Sequence, residues 1–145
     1  DDPTDLEARA ACQHGMWLAI SGAATGRGMG ASHASGHTLG GSYGVPHGIT
    51  SCITLHATLE WNRDYSVDRQ TLVSRLMGKR ALPAADVARA LVKTLGLPWR
   101  LSELLLGASH FRAIAEHTMH DRGIRTNPRP IRSADDIVEI LELCA

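Results

Sequence analysis

The sequence predicts an all-α fold, and three observations carry that expectation. Nineteen Ala and seventeen Leu stand among 145 residues, and both rank with the best helix formers. Runs rich in β-branched or aromatic residues, which suit a pleated sheet, are few; the aromatics number three Trp, two Tyr and one Phe. Apolar residues recur at helical spacing, with short turn signals between the stretches. The length suits one domain. A chain of this size buries roughly 68–70% of its unfolded surface, enough for a core without disulfides or a structural metal. A single all-helical domain over residues 1–145 is therefore expected.

The first helix is expected at Thr4-Asp5-Leu6-Glu7, where Thr4 and Glu7 have the spacing of a capping box. It should run to about Gly22 and bury a stripe of Leu6, Ala10, Trp17, Leu18 and Ile20. The segment Thr25-Gly26-Arg27-Gly28-Met29-Gly30 breaks it. A second helix is read from Ala31 to about Gly41. The connection Tyr43-Gly44-Val45 leads to a third, Pro46 to Asn62, with Pro46 at the first helical position, where the missing N–H costs nothing. Ile49, Ile53, Leu55 and Leu59 make this third helix largely buried. Further helices are expected at 66–77, 83–95, 101–106, 109–120 and 133–143, the last with Ser133 as N-cap and Asp136 three residues on. The turns fall at Gly78-Lys79-Arg80, Gly96-Leu97-Pro98 and Gly107. Leu104-Leu105-Leu106 and the apolar positions of 84–95 read as core. Residues 122–132, with Pro128 and Pro130, read as an irregular surface strap.

Fifteen basic residues balance fifteen acidic ones, with a pI near 7.3. That balance leaves no electrostatic footprint for nucleic acid or an anionic membrane. No apolar run approaches the roughly 18 residues of a spanning helix, and Asp1-Asp2-Pro3 lacks the basic-then-apolar order of a signal peptide. A cytoplasmic protein is expected. Cys12, Cys52 and Cys144 are odd in number and far apart, so they read as small buried hydrophobes rather than a disulfide framework or zinc knuckle.

The chemistry concentrates between Gly28 and Gly48. His33 and His37 are four apart, which puts them on one helix face with Cβ atoms about 5–6 Å apart. Their neighbours are Ala, Ser and Gly, small enough to leave the imidazoles uncovered and to let a ligand or another backbone approach. His47 stands at the start of the next helix, beside Pro46, where the positive helix end favours an approaching anion and a neutral, ligating imidazole. Three imidazoles within fifteen residues point to a metal or catalytic site suited to zinc, iron, copper or nickel. Further ligands must come from elsewhere, since no H-E-x-x-H is present and no Asp or Glu lies between residues 8 and 59.

Other candidates carry less. The glycines of 26–30 fail the G-x-G-x-x-G spacing and follow no strand, so a dinucleotide loop is not expected there. His117 and His120 are three apart at a polar helix end, where pairing with the helix dipole is the better account. His14, beside Gly15, reads as a packing residue.

The run His33-x-x-x-His37-Thr38-Leu39-Gly40-Gly41 followed by Pro46-His47-Gly48 resembles the metal-site signature of the iron-containing (group III) alcohol dehydrogenases. His-Thr-Leu-Gly-Gly, Trp17-Leu18 and Asn127-Pro128-Arg129-Pro130 are most similar to its maleylacetate reductase branch. The resemblance extends over essentially the whole chain. It implies the helical C-terminal domain of an architecture shared with dehydroquinate synthase and glycerol dehydrogenase, although His-Thr-Leu-Gly-Gly argues against those two.

By motif position, the resemblance puts the metal ligands at His33 and His47, and the histidine beside nicotinamide and substrate at His37. It implies NAD(P) and a divalent metal, Fe2+ or Zn2+, as cofactors. A small alcohol or carbonyl, with maleylacetate as the branch-specific case, would be the substrate, and a homo-oligomer the assembly. Two departures qualify the transfer. The family's other ligands form a D-x-x-x-H pair, and no Asp here is followed four residues later by His. Leu55-His56-Ala57 replaces the family's Leu-Pro-His, turning the histidine about 100° around the helix, so no role passes to His56. The expected partner is therefore an N-terminal nucleotide-binding domain or fragment of the same enzyme, without which the chain should not turn over substrate. The alternative is a stand-alone helical domain that binds a metal or a partner without catalysis.

Overall fold

The computed structural model describes residues 2–26 and 28–145; Asp1 and Arg27, and the readings that touch them, lie outside the described residues. Among the described residues, seven α-helices bear out the all-α expectation: α1 Leu6–Ala23, α2 Gly30–Tyr43, α3 His47–Trp61, α4 Val67–Leu76, α5 Ala84–Thr94, α6 Ala108–Thr118 and α7 Ala134–Glu142. Short 3-10 turns occupy Arg63–Tyr65, Leu101–Leu104 and Arg122–Thr126, and no strand occurs among the described residues. Among the described residues, no helix is long and apolar enough to cross a membrane.

The centre of the fold is α3. Thr50, Ile53, Thr54, Ala57 and Trp61 recur along it at helical spacing and are all buried, as a helix covered by α2, α5 and α7 requires. Ile53 meets Leu39, Leu101, Ile114, Ile137 and Ile140 in one cluster, each fully buried. Burial of such a side chain contributes about 1.5–3 kcal/mol.

Beside it, α2 is built from small residues. Ala31, Ser32, Ala34, Ser35 and Gly36 are all buried between α3 and α6. A Cβ on Gly36 would stand 2.6 Å from Thr50 Oγ1, so glycine is what lets α2 and α3 approach so closely. Two pairs of buried hydroxyls hydrogen-bond, Ser32 with Thr54 at 2.9 Å and Thr118 donating to Thr38 at 3.0 Å, which avoids the cost of stranding those groups; Ser35 Oγ is buried without a hydrogen-bond partner among the described residues.

Several local expectations are corrected. Asp5, rather than Thr4, caps α1 by accepting the Ala8 N–H at 3.0 Å, while the Thr4 hydroxyl turns back to Asp2. The buried stripe of α1 is not observed: none of its residues is buried, and His14 is exposed rather than packed. Pro46 is the last residue before α3, its backbone extended at ψ 132° and its carbonyl accepting from Ile49 and Thr50. His47 is thereby the first helical residue. The helix expected at 101–106 is a single 3-10 turn, ended where Leu105 adopts φ 60° and points its side chain to solvent. Of the cysteines only Cys144 is buried; Cys12 is exposed and Cys52 half-buried. The strap at 122–132 is partly ordered as a 3-10 turn and buries Ile124 and Asn127.

Candidate metal centre

The three histidines singled out by spacing converge. His33 and His37 extend from one face of α2 and His47 from the first turn of α3, where the left-handed Gly44 turns the chain back. Ring centroids stand 4.4 Å apart for His33 and His37, 5.0 Å for His33 and His47, and 5.7 Å for His37 and His47. One nitrogen from each ring lies within 4.8 Å of the others, a set of soft-to-borderline N donors that suits a divalent transition metal. The residues between His33 and His37 on α2 are Ala34, Ser35 and Gly36. His33 is half-buried, while His37 and His47 are open to solvent.

The electrostatics favour ligation. Burial, together with the neighbouring imidazoles of His37 and His47, holds His33 below the ordinary histidine value despite the nearby Asp121. A neutral imidazole has the lone pair a metal needs.

Asp121 was not legible as a site residue from sequence. It lies just beyond α6, yet its Oδ2 meets His37 Nδ1 at 2.6 Å across 84 residues of chain. Its Oδ1 accepts the Gly123 N–H at 2.6 Å, a local Asp-x-Gly turn that the sequence could have signalled. Burial pushes the Asp121 carboxyl up, but the hydrogen bonds from His37 and Gly123 outweigh it and hold the group below the usual carboxylate range.

The remaining histidines disperse. His117 Nδ1 pairs with Ser42 Oγ at 2.9 Å, and both border an open hollow of about 340 Å³ that reaches His37, His120 and Asp121. His110 meets the Gly107 N–H at 3.2 Å. His56 is buried, donates Nε2–H to the Trp99 carbonyl at 2.9 Å and is not one of the three clustered imidazoles.

Three imidazoles gathered at the meeting of two helices define the class: a helical domain with a candidate metal site. The model of the Fe-containing alcohol dehydrogenase family, C-terminal, matches residues 1–144, and the chain belongs to that family. Similar solved structures include a protein of Ralstonia eutropha JMP134 assigned to the alcohol dehydrogenases, 29% identical with TM-score 0.81 over 97% of this chain and 39% of that one. An alcohol dehydrogenase from Oenococcus oeni is 28% identical, TM-score 0.67, over 81% and 33%. A maleylacetate reductase from Agrobacterium tumefaciens is 27% identical, TM-score 0.68, over 81% and 32%. The chain thus spans about a third of the length of these relatives. No curated protein matches it.

Proposed function

We propose that this chain is the metal-site part of an NAD(P)-dependent oxidoreductase that moves hydride between the nicotinamide and a small alcohol or carbonyl compound. The observation that carries the reading is the convergence of His33, His37 and His47 within 4.8 Å. Membership of the iron-containing family supports it. Maleylacetate is the substrate suggested by the His-Thr-Leu-Gly-Gly run and by the likeness to maleylacetate reductases.

In this reading His33 and His47 hold a divalent ion, and the other ligands come from a nucleotide-binding domain that completes the site. When bound, the metal supplies Lewis-acid polarisation of the substrate oxygen and NAD(P) supplies the hydride carrier. His37 holds or releases the proton of that oxygen. The small side chains of α2 leave space for substrate and nicotinamide to approach these rings, and the reaction is cytoplasmic.

The test is elemental analysis combined with a nicotinamide-absorbance assay on the chain joined to its nucleotide-binding domain. His33→Ala and His47→Ala should each lose bound metal. His37→Ala should keep the metal and lose on the order of 10²–10⁴-fold in rate. Metal content unchanged in both ligand variants refutes the assignment. Full activity after metal removal, with tight NAD(P) binding, would support a metal-independent reductase instead.

A further inference from the structure

We infer that Asp121 is the positioning residue for His37: its carboxylate fixes the imidazole as the Nδ1-protonated tautomer and leaves Nε2 to take and return the substrate proton. The inference rests on the proton-handling role proposed above for His37. An ionised carboxylate is an acceptor only, so the hydrogen in the 2.6 Å contact between His37 Nδ1 and Asp121 Oδ2 belongs to the imidazole. A neutral imidazole carries one N–H, and the lone pair therefore sits on Nε2, which makes no hydrogen bond among the described residues.

Folding stability does not account for this pair. The His37 side chain is 52% exposed, and a polar contact so open to water contributes little to stability. The pair is nevertheless closely held. Asp121 Oδ1 is occupied by the Gly123 N–H at 2.6 Å, so the carboxylate cannot swing freely. A Cβ on Gly123 would stand 2.9 Å from that oxygen and 3.4 Å from the Gly30 carbonyl, so glycine keeps the turn against α2. The far end of the turn is fastened to α2 as well, through Asn127 Oδ1 and the Ala31 N–H at 3.1 Å. The carboxylate is thus clamped to the same helix that carries His37.

The proton balance is simple. In alcohol oxidation the Nε2 lone pair takes the hydroxyl proton as the O–H bond breaks, and the carbon-bound hydrogen leaves with its electron pair for the nicotinamide. In carbonyl reduction Nε2–H returns the proton to the oxygen. In both directions Asp121 keeps its charge and stabilises the imidazolium beside it, the logic by which a carboxylate orients a catalytic histidine.

The experiment reads imidazole 15N shifts in the metal-free protein at neutral to mildly alkaline pH. His37 should show the Nδ1–H tautomer in the wild type, an increased Nε2–H population in Asp121→Asn, and restoration in Asp121→Glu. An Nε2–H tautomer in the wild type overturns the inference even if no variant folds. So does an unchanged tautomer in an Asp121→Asn protein whose amide spectrum is native. With the nucleotide-binding domain present, Asp121→Asn should lower kcat by about 10²-fold or more, with KM and metal content unchanged and no further loss on adding His37→Ala. A raised KM at constant kcat would make Asp121 a substrate-binding group and overturn the assignment. Absence of hydride transfer in the wild type would defeat the proposed function alone, because the tautomer measurement does not depend on turnover.

Discussion

Asn127 is 8% exposed and spends its side chain entirely inside the protein. Its Oδ1 accepts from the Ala31 N–H and from Asn62 Nδ2, both at 3.1 Å, while Nδ2 donates to Asn62 Oδ1 at 2.7 Å and to the Arg129 carbonyl at 2.8 Å. One amide thus ties the end of α3, the start of α2 and the segment after Asp121. Removing it strands buried groups at about 1–3 kcal/mol each. Asn127→Ala should therefore lose about 2–4 kcal/mol, read as a lower urea midpoint at unchanged m; a loss under about 1 kcal/mol would show that water replaces the amide. The same residues mark the limit of sequence reading. His33, His37 and His47 were legible because helix periodicity and a turn bring near neighbours together. Asp121 and Asn127 act across 84 and 96 residues, and no local pattern encodes such a pairing.

At the level of elements, punctuation was more legible than burial. Gly78 and Gly96 adopt left-handed φ where turns were expected, and Ser133 precedes α7, where Asp136 accepts its N–H at 3.0 Å. Pro46 marks the start of α3 to within one residue. For α1 the apolar content was read correctly but its destination was not: Trp17, Leu18 and Ile20 are 64%, 63% and 61% exposed. Apolar spacing states which face seeks cover, and the cover must come from another element. In this chain Trp17→Ala and Leu18→Ala should each change stability by no more than about 0.5 kcal/mol, whereas Leu39→Ala, in the core, should cost about 2–5 kcal/mol. Urea denaturation of the three variants tests this. A cost above about 2 kcal/mol at either α1 position would restore the buried stripe that its spacing suggests.

For the whole molecule, balanced formal charge removes net repulsion as the main lever on stability, so pH dependence falls to individual buried groups. Burial holds His56 below its ordinary value of 6.5, against the opposing hydrogen bond to Trp99, and burial does the same for His33. The unfolded chain takes up these protons first. Their contribution is therefore complete above 6.5 and is lost as pH falls through the lower folded values. Asp121, held below its ordinary 3.8, adds a second loss in more acidic solution. Cys144 acts at the opposite end: burial pushes its thiol from 9.0 up to about 12. Above 9.0 the unfolded thiol ionises while the folded one does not, so stability falls as pH rises, by at most about 1.4 kcal/mol per pH unit for one proton. Urea titrations of the metal-free protein should give a plateau between about pH 6.5 and 9 with a decline on each side. Cys144→Ala should sit lower on the plateau for its lost packing, yet show a shallower alkaline limb. An alkaline limb equally steep in that variant would place the responsible group elsewhere, and a wild-type profile flat from about pH 8 to 5 would rule out His33 and His56 as the acid-sensitive sites.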